Sequence, residues 1–243
     1  MRRTLYVSAA LAAAICLAPL SVRAQTLDEI IGMNLKAKGG LETIKATTTV
    51  RMTGRMVARD GSGNEVKGTM TMLAKRPNMM RREAMVGGEK IVNAFDGTSL
   101  WMAVGTNPPQ EAPGPQAAYA KQDAEFDSVF VDYKAKGHTI QLVGTEKLDG
   151  KPAFHLKVTK RGGPAQDYYL DADTGLERKI TMAVDQGPLV VTELSDYRTV
   201  EGRMVPFATR QLVNGQQASL VTIDKVEFNL PIDDSLFRMP ATK

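Results

Sequence analysis

Val50-Arg51-Met52-Thr53-Gly54-Arg55-Met56-Val57-Ala58-Arg59 and, a few residues on, Val66-Lys67-Gly68-Thr69-Met70-Thr71-Met72-Leu73-Ala74-Lys75 decide how the rest of the chain is read. In the first run Val50, Met52, Gly54, Met56 and Ala58 alternate with Arg51, Thr53, Arg55 and Arg59, with Val57 as the exception. In the second, Val66, Gly68, Met70, Met72 and Ala74 alternate with Lys67, Thr69, Thr71 and Lys75. Side chains of a strand point alternately to its two faces, so a period of two predicts a strand with one apolar and one basic, wet face. Asp60-Gly61-Ser62-Gly63-Asn64 between the runs is turn chemistry, and the pair reads as a long β-hairpin.

The same pattern continues downstream. Strands are expected at Met79–Val86, Lys90–Phe95 and Ser99–Val104, with turns at Gly87-Gly88 and Asp96-Gly97. Gly105 to Pro115 is rich in Pro and Gly and reads as a loop. Gln116 to about Lys136 reads as a helix whose apolar members are Tyr119, Phe126, Val129, Phe130 and Tyr133. Alternation then resumes at 139–146, 153–160, 166–170, 176–184, 188–200, 204–213 and 217–229, with Asn214-Gly215 as a strong hairpin signal. Upstream, Thr26-Leu27-Asp28-Glu29 has the capping-box pattern of a hydroxyl followed three residues later by a carboxylate. Leu27, Ile30, Ile31 and Leu35 follow at helical spacing, and Gly39-Gly40 ends the helix. Antiparallel meanders twist, and exposed edges are hazardous. The expected fold is therefore α+β: a curved antiparallel sheet of about eleven strands forming an open, incomplete β-barrel, with helices covering its mouth.

The N-terminus carries Arg2 and Arg3, then an apolar stretch from Leu5 to Leu20, then Val22-Arg23-Ala24 before Gln25. This is the layout of a secretory signal peptide, with cleavage expected before Gln25. The stretch of about 16 residues is shorter than the roughly 20 a membrane-spanning helix needs. Residues 1–24 are thus set aside as leader, and 25–243 are expected to form one domain in the periplasm. Cys16 leaves with the leader, and Ile15 before it is not the small residue a lipidation site requires. The mature chain then has no cysteine for a disulfide or a thiolate ligand. The 31 Lys and Arg stand against 27 Asp and Glu, and removing Arg2, Arg3 and Arg23 leaves 28 against 27. So near-neutral a chain offers no case for nucleic acid binding.

Catalytic chemistry is sparse. His138 and His155 are the two histidines, far apart in sequence; with no cysteine beside them they offer no zinc ligand set, and no metal or other cofactor is expected. His155 falls between Phe154 and Leu156 and reads as a surface strand residue. Asp171-Ala172-Asp173-Thr174-Gly175 and Asp233-Asp234 read as turn and cap carboxylates. No nucleophile elbow, phosphate loop or dinucleotide fingerprint is present. Methionine is the positive feature. Met52, Met56, Met70 and Met72 share the apolar hairpin face, and Gly54 and Gly68 remove volume from it. Methionine is unbranched and polarizable and suits a surface that accepts several apolar shapes, though it equally fills a core.

Several further segments resemble one family. They are Lys38-Gly39-Gly40-Leu41-Glu42, Asn93 through Trp101, Tyr168-Tyr169-Leu170-Asp171, Tyr197-Arg198 through Val205-Pro206-Phe207, and Phe228-Asn229-Leu230-Pro231-Ile232-Asp233-Asp234-Ser235-Leu236-Phe237. In this order they resemble the outer membrane lipoprotein-sorting protein group, which is similar to the LolA/LolB superfamily of lipoprotein carriers. The resemblance implies an open β-barrel with a helical lid, an apolar cavity for acyl chains, periplasmic residence, no catalysis, and exchange with membrane-bound partners. The chain is accordingly expected to be a monomeric, non-enzymatic carrier moving a lipoprotein acyl chain or other lipid towards the outer membrane. Met52, Met56, Met70, Met72, Phe95, Leu100, Trp101, Phe126 and Phe130 are its expected ligand-binding residues, Trp101 serving equally as a core anchor. The alternative is a periplasmic sensor that binds a membrane partner through the basic face of Arg51, Arg55, Arg59, Lys67 and Lys75.

Overall fold

The computed structural model describes residues 25–59, 62–112, 121, 124–183 and 187–241, and its elements among them are two short α-helices, thirteen strands and a 3-10 turn at Asp234–Leu236. The expected leader, residues 1–24, lies outside the described residues. The helices are α1 (Leu27–Ala37) and α2 (Leu41–Ala46). The strands are β1 (Thr49–Arg59), β2 (Glu65–Lys75), β3 (Met79–Val86), β4 (Glu89–Phe95), β5 (Leu100–Val104), β6 (Gln110–Glu111), β7 (Thr139–Leu148), β8 (Lys151–Thr159), β9 (Ala165–Asp171), β10 (Glu177–Ala183), β11 (Leu189–Val200), β12 (Arg203–Val213) and β13 (Gln216–Phe228). All belong to one antiparallel sheet in the order β6-β5-β4-β3-β2-β1-β13-β12-β11-β10-β9-β8-β7. The sheet does not close, and β6 and β7 are its edges.

The period-two reading of the opening hairpin holds residue by residue. Met52 pairs with Met72, Gly54 with Met70 and Met56 with Gly68. On its other side β1 pairs with β13, where a bulge between Thr53 and Gly54 shifts the register. Gly54 is needed there, since a Cβ would lie 2.3 Å from the Thr222 carbonyl oxygen. Gly68 is needed for the same reason, because its Cβ would lie 2.0 Å from the Met85 carbonyl oxygen. Both glycines therefore mark close backbone approach.

The capping box also forms. Thr26 Oγ1 accepts from the Glu29 backbone N–H at 3.3 Å, and the Thr26 N–H donates to Glu29 Oε2 at 2.7 Å. Gly39 and Gly40, at φ 99° and 85°, end the helix in a region side-chain-bearing residues avoid. Helix α1 buries Ile30 and Ile31 against the inner face of β7–β10, among Ile140, Phe154, Leu156, Val158, Tyr168 and Leu170. Polar contacts fix its position. Asn34 Nδ2 donates to the Gly175 carbonyl at 2.8 Å, and Lys38 pairs with the buried Glu177. Tyr197 donates to the Glu177 carbonyl at 2.7 Å, and burial, with the neighbouring Glu177, pushes its phenol far above its ordinary range.

Three expectations are corrected. The architecture is mostly β rather than α+β, because residues 124–136 of the expected helix over 116–136 form turns and bends instead of helix. Residues 124–137 form successive turns and bends, broken by Asp132 at φ 50° and by Gly137 at φ 75°. Residues 116–120, 122 and 123 lie outside the described residues. The apolar members nonetheless face inward: Val129 and Phe130 are buried with α1 on the sheet. The strand count is thirteen rather than about eleven, and β6 falls in the stretch read as a loop, too short to show a period. The helices do not cover the whole mouth. Helix α1 and residues 124–137 fill one end of the inner face, and none of the described residues covers the hairpin-tip end.

Candidate functional site

The uncovered end holds an apolar cavity of about 460 Å³. Its walls come from Met56 and Ala58 of β1, Val66 and Met70 of β2, Arg82, Ala84 and Val86 of β3, Ile91 and Asn93 of β4, and Val221 of β13, with Arg59 and Glu83 at its edge. One cavity touching five adjacent strands requires those strands to curve around it. The register shows why these residues meet. Gly54, Met70, Ala84 and Ile91 lie in one row across the sheet, and Met56, Gly68 and Val86 in the next. Small residues alternate with methionine along these rows, so the concave face is apolar and incompletely filled. Its volume falls within the roughly 300–1,000 Å³ of small-molecule sites.

Of the nine expected ligand-binding residues, the structure brings Met56 and Met70 together at this cavity. Met52 packs beside it against the cluster of Val205, Phe207, Ile223 and Val226. Met72 is half-buried on the same face, paired with Met52 and opposite Arg82. Phe95 is buried with Met80 under Ala124, with Leu100 against them, at the covered end. Phe126 lies under the Arg76 guanidinium, 4.7 Å away, and Phe130 meets Tyr168 edge-on at 5.7 Å in the α1 core. Trp101 is on the opposite face. It is buried with Val92 and Ala94, and its indole N–H donates to the Phe237 carbonyl at 2.7 Å. There it anchors the C-terminal segment to the back of β4–β5. Ala84, Val86, Ile91 and Val221 were not singled out in the sequence, whereas Ala58 and Val66 were already placed on the apolar face of the hairpin. The signal was the same alternation on β3, β4 and β13, which carries no methionine at those positions to draw attention to it.

The basic outer face of the hairpin is matched by acids. Arg55 pairs with Asp224 at 2.9 Å, Arg51 with Glu227 at 3.9 Å, Arg59 with Glu65 at 3.9 Å, and Lys75 with Asp234 at 2.6 Å. The hydrogen bond from Lys225 and the charge of Arg51 hold the Glu227 carboxyl below its usual value. Exposed pairs of this kind contribute little stability, but they neutralise the strip.

Elsewhere, His155 is more enclosed than a bare surface histidine. Its Nδ1 lies 2.7 Å from Glu146 and its Nε2 2.8 Å from Asp167, and the ring stacks on Tyr169 at 4.6 Å. Burial, with Glu146 and Asp167, raises the Tyr169 phenol. Asp171 accepts from the backbone N–H groups of Asp173 and Thr174, and Asp233 from that of Ser235, as turn and cap residues do. Among the described residues no group of three or more His, Cys, Asp or Glu side chains is placed to hold a metal ion.

The chain shares its fold with solved structures. A domain assigned as an outer membrane lipoprotein-sorting protein domain, from Vibrio parahaemolyticus, is 12% identical with a TM-score of 0.56, covering 85% of this chain and 97% of that one. A LolA superfamily protein from Nitrosomonas europaea is 13% identical with a TM-score of 0.60, covering 88% and 98%. A DUF1329 family protein from Desulfovibrio piger is 12% identical with a TM-score of 0.61, covering 87% and 96%. No protein-family model matches the chain, and no curated protein matches it. The chain thus shares its fold with a LolA superfamily protein and with a lipoprotein-sorting protein domain, the fold that the resemblance in the sequence implied.

Proposed function

We propose that this protein is a periplasmic, non-catalytic carrier that holds a lipoprotein acyl chain or another lipid in the cavity at the hairpin-tip end of its sheet. It would move that cargo towards the outer membrane. The observation that carries this reading is the cavity itself: about 460 Å³ of mostly apolar space on a face that nothing described covers. Burial of a methylene contributes about 0.8 kcal/mol, so ten methylenes supply roughly 8 kcal/mol before ordering costs. A tail needs shape-tolerant walls rather than a strong polar constellation, and Met56 and Met70 beside Ala58, Ala84 and Gly68 supply them. The folds it shares, which include a lipoprotein-sorting domain, are consistent with this.

The test is native mass spectrometry of the protein purified from periplasm without detergent, followed by organic extraction. A discrete added mass that extracts as an acylated species is the expected result and names the cargo class. A clean unliganded mass, with no uptake of a fluorescent fatty-acyl probe, sinks the carrier reading.

A further inference from the structure

We infer that a basic recess of about 540 Å³, separate from the acyl cavity, binds a phosphate group, with the Arg161 guanidinium and the Lys136 ammonium as its donors. Stretches of chain far apart in sequence meet there. Glu125, Lys136 and His138 come from the segment ahead of β7, and Lys160 and Arg161 follow β8 directly. With Lys121, the wall carries the cations Lys121, Lys136, Lys160 and Arg161 against a single carboxylate, Glu125. The contrast is with the outer face of the hairpin, where Arg51, Arg55, Arg59 and Lys75 each have an acid of their own. In the recess the positive charge is left in excess.

Glu125 is spent inside the recess. Its Oε1 lies 2.7 Å from Lys136 Nζ and its Oε2 3.3 Å from His138 Nε2. His138 Nδ1 accepts from the Arg161 backbone N–H at 3.1 Å, so Nε2 carries the proton that points to Glu125. His138 is thus a strut that ties the residue after β8 to the segment before β7. Arg161 is seated from two sides, its backbone by His138 and its stem by Gly137. A Cβ on Gly137, which sits at φ 75°, would lie 3.3 Å from Arg161 Cδ. The guanidinium beyond that stem has no hydrogen bond or ion pair among the described residues. Lys160 is already engaged and adds only its charge. Lys136 Nζ is shielded from solvent and, although ion-paired with Glu125, makes no hydrogen bond. Donors enclosed and unused in this way are costly, and an oxygen supplied by a ligand relieves that cost. A guanidinium offers paired N–H groups and an ammonium a compact charge, and a phosphate has oxygens for both.

The test is calorimetric titration of the purified protein with inorganic phosphate at low salt. One site per chain is expected, weakened roughly tenfold by Arg161→Met and less by Arg161→Lys. Lys67→Met removes a positive charge from the hairpin's outer face and should leave the affinity unchanged. An equal loss in Lys67→Met overturns the site, because overall charge alone would then explain the binding. An affinity that Arg161→Met leaves unchanged overturns the assignment to Arg161. The group can come from a soluble phosphate or from a lipid headgroup, and co-sedimentation with phosphatidylcholine vesicles, with and without phosphatidic acid, separates the two. Acidic vesicles that bring down the parent protein but not Arg161→Met identify a headgroup. Phosphate binding with no sedimentation identifies a soluble source. Neither phosphate binding nor an Arg161-dependent sedimentation overturns the inference and leaves the carrier reading standing, since no probe here enters the acyl cavity. Lys136→Met should weaken phosphate as Arg161→Met does. If stranding Glu125 keeps that variant from folding, the Arg161 Nε–H resonance of the unaltered protein decides: a saturating shift on adding phosphate supports the site, and no shift removes it.

Discussion

Strands β2 and β8 are built on the same alternation and meet different fates. In β8, Phe154, Leu156 and Val158 are buried under α1 and the turns that carry Val129 and Phe130. In β2 no residue is fully buried, although Val66, Gly68, Met70, Met72 and Ala74 form an equally regular apolar face. One inner face is covered by a helix and filled with branched and aromatic side chains. The other is lined with methionine, alanine and glycine and is left with space. Alternation therefore specifies which face points inward, and the shapes of the side chains decide whether that face becomes core or cavity.

Substitutions can break or sharpen this contrast. Leu156→Ala should cost about 3 kcal/mol, seen as a melting point lower by roughly 10 °C, because it empties a fully buried site. Were Met70→Ala to cost as much, the two halves would not differ as described. Gly68→Ala should cost on the order of 2 kcal/mol, since its methyl group meets backbone 2.0 Å away. Denaturant melts would check this, and a neutral result would mean that the backbone of β3 can move away from Gly68. Trp101→Phe should cost about 1–2 kcal/mol by stranding the Phe237 carbonyl, and limited proteolysis should then release the C-terminal segment. Met56→Asp and Met70→Asp should each change stability by less than about 1 kcal/mol yet abolish uptake of a fluorescent acyl probe. Unchanged uptake by the folded variants would remove these strands from the site. The smallest effect is expected of Arg55→Ala, whose ion pair with Asp224 is largely exposed; its melting curve should overlay that of the parent.

Most of the sheet was legible in the sequence because strand periodicity is local. The hairpin from Val50 to Lys75, the capping box at Thr26 and the turn at Asn214-Gly215 all follow from neighbours a few residues apart. The segment 124–137 misled because Phe126, Val129, Phe130 and Tyr133 have helical spacing, whereas their inward direction is set by tertiary packing on the sheet. Trp101 misled differently. Its neighbours Leu100 and Met102 are the inner-facing ones, so alternation already assigned it to the back, but its size suggested a ligand wall. The cavity residues Ala84, Val86, Ile91 and Val221 come from strands whose closeness to Met56 depends on curvature, which a period of two does not encode.

The pairing of β1 with β13 has a consequence for how the chain is made. The first strand and the last lie side by side in the middle of the sheet, with β2–β6 on one flank and β7–β12 on the other. Each flank is a meander of neighbours and can zip from its own hairpins, but the seam between them closes the longest loop in the molecule. A chain delivered N-terminus first therefore keeps the Met56 edge of its opening hairpin unpaired until residues 216–228 arrive. Val221 joins the cavity wall only at that moment, so a truncated or stalled product has a strand edge to protect and a compartment open along one side.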